Sequence, residues 1–250
     1  MLHPDFLTRP LAHRGLHGPG VPENAMAAFR AAIAGGWGIE LDVQPAEDGT
    51  PLVFHDYELT RLTGDGGVVA ALSVAEAAGR RLLGTAEGIP TLEAVLALVA
   101  GQVPVLIEIK DQSGDLGPDM GELPLAVAAL AADYAGPLAV MSFNPHAAEM
   151  VHRAAPGVAV GLTSCAFPAD DWPGVPAGRR AALARLEDFD RAGACFVSHD
   201  RTDLANPAVT ALSARGVPVL CWTVRSAEQE QAARRVAANI TFEGYTPCAP

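Results

Sequence analysis

The chain reads as an α/β protein of the (β/α)8, or TIM-barrel, class. Eight short β-branched runs alternate with Ala/Leu-rich segments of helical period along its 250 residues, a length that suits one such barrel. No G-x-G-x-x-G follows the first run, which counts against the doubly wound open sheet, the other fold with this alternation. The whole chain, 1–250, is therefore expected to form one barrel domain, with no linker-like break in composition and no repeat of solenoid period.

The predicted strands are Leu11–His13, Gly38–Val43, Pro104–Ile109, Leu138–Phe143, Val158–Leu162, Ala194–Ser198, Val217–Val224 and Asn239–Phe242. Crossover helices are expected over Asn24–Gly35, Thr91–Ala100, Leu123–Tyr134, Pro145–Ala154, Arg179–Ala192, Leu204–Arg215 and Ala227–Ala237. Thr91 with Glu93, and Ser226 with Glu228, suit helix N-termini. One stretch breaks the pattern. Gly38–Val43 is followed by Asp48-Gly49 and then by Leu52–Phe54, too close for a crossover helix, so these runs should pair as a hairpin. A two-residue turn at Asp48-Gly49 would set Asp42 opposite His55, with Glu40 two residues along on the same face. Residues 57–90, rich in Gly and turn formers, then read as a small insertion after the second strand and its hairpin.

Composition excludes several classes of function. Half the residues are apolar and 18% are charged, which rules out disorder, while 25 glycines and 20 prolines without period imply many tight turns. A net charge of −12 argues against binding nucleic acid, whose affinity rests on cationic side chains, but allows one small anion in a locally positive site. The start carries no cationic region followed by an apolar stretch, and the longest apolar run, around Leu123–Ala132, is interrupted by Pro124. A cytoplasmic location and no stable membrane association are expected. Cys165, Cys195, Cys221 and Cys248 lie far apart with no C-x-x-C pair, and are read as reduced, small buried hydrophobes. Oligomeric state stays open.

Polar residues gather at four strand ends. His13-Arg14-Gly15 closes the first strand, Glu40-x-Asp42 the second, His55-Asp56 the return of the hairpin, and Glu108-x-Lys110 the next strand. These ends form the face of a barrel where chemistry sits. Glu40, Asp42 and Glu108 alternate with Ile39, Leu41, Ile107 and Ile109, so they share the inward face, where an unpaired charge is costly. Three converging carboxylates repel unless a cation sits among them, and all-oxygen ligation points to Mg2+ or Ca2+. The plainer alternatives are solvated carboxylates on a strand edge, a surface ion pair for Glu108 and Lys110, and a core histidine for His13. Against them, Lys110 is the only lysine beside sixteen arginines, which marks a place where a compact ammonium has a task. His199-Asp200 also follows a strand and is placed to line the same rim.

A wider pattern ties these residues together. Ala12-His13-Arg14-Gly15, Pro22-Glu23-Asn24-Ala25, Ala28-Phe29, Ile39-Glu40-Leu41-Asp42-Val43, Asp48-Gly49, Phe54-His55-Asp56, Leu59-x-Arg61-x-Thr63-Gly64, Ile89-Pro90-Thr91-Leu92, Ile107-Glu108-Ile109-Lys110, Ser142-Phe143 and Trp222-Thr223-Val224 occur in this order. Jointly they make the chain resemble the glycerophosphodiester phosphodiesterase family, from about residue 11 to 225. The resemblance implies a (β/α)8 barrel with a small insertion, a divalent cation, and hydrolysis of small glycerophosphodiesters to glycerol 3-phosphate and an alcohol. It makes Glu40, Asp42 and Glu108 metal ligands, His13 and His55 the acid/base pair, and Arg14, Lys110 and Trp222 contacts for phosphate and substrate. One histidine would deprotonate the nucleophile, which is water or a glycerol hydroxyl, and the other would protonate the leaving alkoxide.

Two departures stand out. Arg225 follows Trp222-Thr223-Val224 where the family has Asn, and Glu243-Gly244-Tyr245-Thr246-Pro247 replaces the family's closing Thr-Asp-x-Pro. Neither is expected to touch the catalytic set; both should bear on the leaving alcohol. The rival enzyme reading is hydrolysis of lipid phosphodiesters, lysophospholipase D-like or phospholipase D-like, which would need an apolar mouth. A barrel retaining a dead site is the non-enzyme rival, opposed by the intact set of two histidines and three carboxylates.

Overall fold

The computed structural model describes residues 1–248; Ala249 and Pro250, the end of the predicted 1–250 domain, lie outside the described residues. The strands are β1 (Leu11–Ala12), β2 (Gly38–Pro45), β3 (Pro51–Val53), β4 (Val105–Ile109), β5 (Leu138–Ser142), β6 (Ala159–Ser164), β7 (Phe196–Asp200), β8 (Val219–Val224) and β9 (Asn239–Phe242). All but β3 run parallel to their neighbours, and Leu11 pairs with both Gly38 and Thr241, so β1 closes the sheet into an eight-stranded barrel. The predicted fold class is the observed one.

Among the described residues ten α-helices accompany the strands: α1 (Asp5–Thr8), α2 (Met26–Ala34), α3 (Thr60–Thr63), α4 (Val74–Gly79), α5 (Leu92–Val99), α6 (Leu123–Asp133), α7 (Pro145–Ala154), α8 (Ala177–Ala184), α9 (Pro207–Ala214) and α10 (Ala227–Ala233). Thr91 and Ser226 cap α5 and α10, accepting hydrogen bonds from the N–H groups of Ala94 and Gln229. Outward strand residues such as Ile39, Leu41, Val105 and Ile107 pack with helix residues Phe29, Val95, Val127 and Val151 in one buried cluster. Inward residues Leu11, Leu106, Met141, Phe196 and Leu220 form another with Leu2 and Phe6. Asn239 Nδ2 donates to the carbonyls of Phe6 and Arg9, fixing α1 against the start of β9 and so across the N-terminal end of the barrel. That end is filled; the other carries the polar residues.

Three expectations are corrected. The helix predicted over Arg179–Ala192 stops at Ala184 and gives way to turns, because Leu186 adopts a φ of 54° and lets Phe189 and Ala192 reach the core. Leu183, Leu186 and Phe189 have helical spacing without a continuous helix. The β2–β3 hairpin is one residue out of the predicted register. Its pairs are Val43 with Val53 and Gln44 with Leu52, and Gly49, at φ 83°, completes a three-residue loop. Asp42 therefore faces Phe54, whose N–H donates to the Asp42 carbonyl at 3.0 Å, rather than His55. Finally, all four cysteines are free, but only Cys165 and Cys221 are buried, whereas Cys248 is exposed.

Between β3 and α5 the chain forms α3, α4 and a 3-10 turn at Val69–Ala71. Leu59, Val69, Leu72, Ala77, Leu82 and Ile89 cluster there with Leu52 and Phe54, a small apolar core beside the barrel wall. No helix among the described residues is long and apolar enough to cross a membrane.

Candidate active site

Parallel register places the carboxylates. Asp42 and Glu108 are direct neighbours across β2 and β4, and Glu40 lies two residues before Asp42 on the same inward face. All three are buried, and oxygens of Glu40, Asp42 and Glu108 lie within 4.8 Å of one another. Cations are drawn in around them. Lys110 Nζ stands 2.8 Å from Glu108 Oε1 and 3.4 Å from Asp42 Oδ1, and Arg14 Nε stands 3.2 Å from Asp42 Oδ2. The Arg14 backbone N–H donates to Glu40 Oε2 at 3.0 Å, Asn24 Nδ2 to Asp42 Oδ2 at 3.0 Å.

The charges do not balance evenly. Burial and then the neighbouring Asp42 and Glu108 push Glu40 well above the usual carboxylate range. Burial alone would also raise Asp42, but Lys110, His55 and Arg14 hold it well below. For Lys110, Glu108 and Asp42 outweigh burial and hold the ammonium above its ordinary value. The trio thus has room for more positive charge than Lys110 and Arg14 supply, and the Arg14 Nε is buried without a hydrogen-bond partner. Three oxygen donors with this deficit fit a hard divalent cation.

Each histidine is held by one ring nitrogen. The tight turn after β1 depends on Gly15, at φ 79°, whose missing side chain admits Ala28 of α2; a Cβ there would stand 2.9 Å from the Ala28 Cβ. From this turn His13 places Nδ1 2.5 Å from Glu243 Oε2 and Nε2 4.0 Å from Glu40 Oε2. His55 reaches the site through the bend after β3, with Nδ1 2.7 Å from Asp56 Oδ1. Burial holds His55 below its ordinary value, against the pull of Asp42.

The chain of ion pairs continues from Asp56 to Arg61, from Arg61 to Glu23 and from Glu23 to Arg14, with distances of 2.5, 2.6 and 2.6 Å. It ties α3 to the turn after β1. Glu23, Asn24, Asp56 and Arg61 all stand in the family motifs without an assigned task; the pairings of Glu23 with Arg61 and of Asn24 with Asp42 are tertiary and invisible to spacing.

All eight sequence-predicted residues, His13, Arg14, Glu40, Asp42, His55, Glu108, Lys110 and Trp222, line one cavity of about 180 Å³. An adjoining cleft of about 900 Å³ is walled by Tyr57, Phe143, Trp172 and Trp222 with Asp111 and Asp171. Trp222 Nε1 donates to the Ser198 carbonyl at 3.0 Å, and its ring meets that of Phe143 edge-on at 5.5 Å. His199 is not on the rim. It is fully buried between Ser164, 2.7 Å from Nδ1, and Asp203, 3.1 Å from Nε2.

The expectation for the two departures is overturned. Glu243 is the partner of His13, and Arg225 Nε lies 2.5 Å from Glu243 Oε1, so both adjoin the residues predicted to be catalytic. The hydrogen bond from His13 is the largest influence holding Glu243 far below the usual carboxylate range. A carboxylate directly after the last strand was the available signal.

Comparison with known proteins gives the same direction. A glycerophosphodiester phosphodiesterase of Caldanaerobacter subterraneus is 34% identical over 161 residues, covering 61% of this chain and 65% of that one. Another, from Bacillus altitudinis, is 39% identical over 117 residues, covering 42% and 45%. The matched part thus spans less than two thirds of either relative. A phosphodiesterase of Oleispira antarctica, solved with the product sn-glycerol-3-phosphate, superposes at a TM-score of 0.77 with 23% identity, over 95% of this chain and 93% of that one. A glycerophosphodiester phosphodiesterase of Thermotoga maritima superposes at 0.72 with 22% identity, over 94% of each chain. These two share the fold. The model of the glycerophosphoryl diester phosphodiesterase family matches residues 13–241, and the chain belongs to that family.

Proposed function

We propose that this protein hydrolyses small glycerophosphodiesters to glycerol 3-phosphate and an alcohol, with a divalent cation, Mg2+ or Ca2+, held by Glu40, Asp42 and Glu108. One observation carries the reading: two histidines from different strand ends line the same small cavity as three buried, clustered carboxylates and two cations. The cation, when bound, neutralises phosphate charge and polarises the phosphorus centre.

The chain's own groups divide the remaining work. Lys110 and Arg14, whose Nε makes no hydrogen bond although it stands 3.2 Å from Asp42 Oδ2, bind non-bridging phosphate oxygens, where negative charge grows in the transition state. His55, kept neutral by burial, takes the proton of the nucleophile. Its Nδ1–H donates to Asp56, which leaves Nε2 as the basic atom. His13, with Glu243 stabilising its imidazolium, gives a proton from Nε2 to the leaving alkoxide. Glu243 and Asp56 are positioning residues in this scheme.

The test is product analysis. Glycerophosphocholine, glycerophosphoethanolamine and glycerophosphoglycerol should each yield glycerol 3-phosphate and the free alcohol, with EDTA abolishing release and added Mg2+ or Ca2+ restoring it. Undiminished release in EDTA would contradict the cation's role, and a phosphorylated alcohol as product would contradict the cleavage site. The aromatic wall of Tyr57, Phe143, Trp172 and Trp222 favours a second reading, in which a lipid diester places its chain in the 900 Å³ cleft. Lysophospholipids assayed beside the soluble diesters decide between them.

A further inference from the structure

A second group of metal-ligating atoms lies on the other side of His13. His17 follows β1 by five residues, and its Nε2 is buried without a hydrogen-bond partner, 3.7 Å from Glu243 Oε2. His13 Nδ1 is 2.5 Å from that same oxygen. Ligand atoms of His13, His17 and Glu243 all fall within 4.8 Å of one another. Atoms bound at roughly 2.0–2.2 Å to a tetrahedral ion stand about 3.3–3.6 Å apart, so the observed 2.5 and 3.7 Å need only small side-chain adjustments. Arg225 occupies Glu243 Oε1 and leaves Oε2 to the cluster.

The donor set differs from the first in kind. Two imidazoles and one carboxylate suit a borderline-soft ion such as Zn2+ and disfavour Mg2+ and Ca2+, whereas Glu40, Asp42 and Glu108 offer oxygen alone. We propose that His13, His17 and Glu243 form a separate transition-metal site, and that Zn2+ bound there switches the enzyme off. On binding, the proton of His13 Nδ1 leaves to solvent and its lone pair goes to the metal. Affinity should therefore rise with pH. A metal on Nδ1 prevents His13 from becoming imidazolium, so Nε2 can no longer pass a proton to and fro. The inhibition rests on the hydrolytic role proposed for His13; the binding does not.

Co2+ is the spectroscopic probe and Zn2+ the functional one, both with the carboxylate site saturated by Mg2+. The parent protein should bind one equivalent of Co2+ with the visible absorption of a nitrogen-ligated four-coordinate ion, and Zn2+ should displace it and inhibit hydrolysis. His17→Gln should keep the parent rate in Mg2+ alone yet lose both the Co2+ band and zinc sensitivity by at least roughly tenfold. Equal zinc sensitivity in His17→Gln would place inhibition at the carboxylates and overturn the proposal, as would a parent with no Co2+ band. A parent that binds Co2+ through His17 but hydrolyses nothing upholds the site and contradicts the proposed function instead.

Discussion

Lys110 is the chain's only lysine, and its ammonium bridges two buried carboxylates rather than standing free. Lys110→Arg keeps the charge but puts a planar fork where a compact group touches Glu108 and Asp42, so kcat/KM should fall by more than about tenfold. Near-parent kinetics would reduce Lys110 to an offset of charge. Lys110→Met should lower Tm sharply in EDTA, since breaking a buried pair costs about 3–5 kcal/mol, and regain stability on adding Mg2+ or Ca2+. A thermal scan with and without metal checks this. His55 gives a pH signature. Burial, assisted by Lys110 and Arg14, sets its folded value below the ordinary 6.5, and a nearby bound cation acts in the same direction. The acid limb of kcat/KM should therefore fall below pH 6.5 and disappear in any active His55→Gln variant. For stability the sign is the same: the unfolded chain takes up the proton first, so the contribution of neutral His55 fades as pH drops below 6.5. The gathering of His13, Arg14, Glu40, Asp42, His55, Glu108 and Lys110 in one cavity was legible because strand alternation and strand ends are local features, whereas Trp222 entered only through the family resemblance. Glu243 was not read as the partner of His13, because a pairing across 230 residues belongs to barrel closure.

Elements were legible by period and misread where period and backbone part. The predicted two-residue hairpin turn failed by one residue, because Gly49 in the left-handed region completes a three-residue loop from the same Asp-Gly sequence. His55 still reaches the site, since the chain leaves β3 at Val53 and bends. Likewise Leu183, Leu186 and Phe189 have helical spacing, yet a positive φ at Leu186 ends the helical path. Within β6, Gly161 is required by its neighbour on β7: a Cβ there would stand 2.4 Å from the Phe196 ring. Gly161→Ala should cost about 1–3 kcal/mol in urea unfolding, whereas Gly178→Ala, where a Cβ meets nothing, should not. Equal costs at both would contradict the packing described. Removing the α5 cap with Thr91→Ala should cost about 1 kcal/mol while leaving the catalytic residues in place.

At the scale of the whole molecule, a barrel plugged at one end by Leu2 and Phe6 leaves its other end to carry charge. The alternation of strands and helices made that architecture legible, and in a chain of net charge −12 the cations of the inner site, Arg14 and Lys110, are each held by its carboxylates. What the sequence could not supply is the circuit from His55 through Asp56, Arg61 and Glu23 to Arg14, which joins the segment after β3 to the turn after β1. The proposed hydrolysis depends on a cation held by the three buried carboxylates Glu40, Asp42 and Glu108. Calorimetric titration of Mg2+ or Ca2+ into EDTA-stripped protein, in buffers of differing ionisation enthalpy, tests it most directly. Because Glu40 holds its proton far above the usual carboxylate range, one cation should bind per chain with proton release, and Asp42→Ala or Glu108→Ala should abolish both binding and hydrolysis. Unchanged cation binding in those variants, or full hydrolysis without it, would contradict the claim.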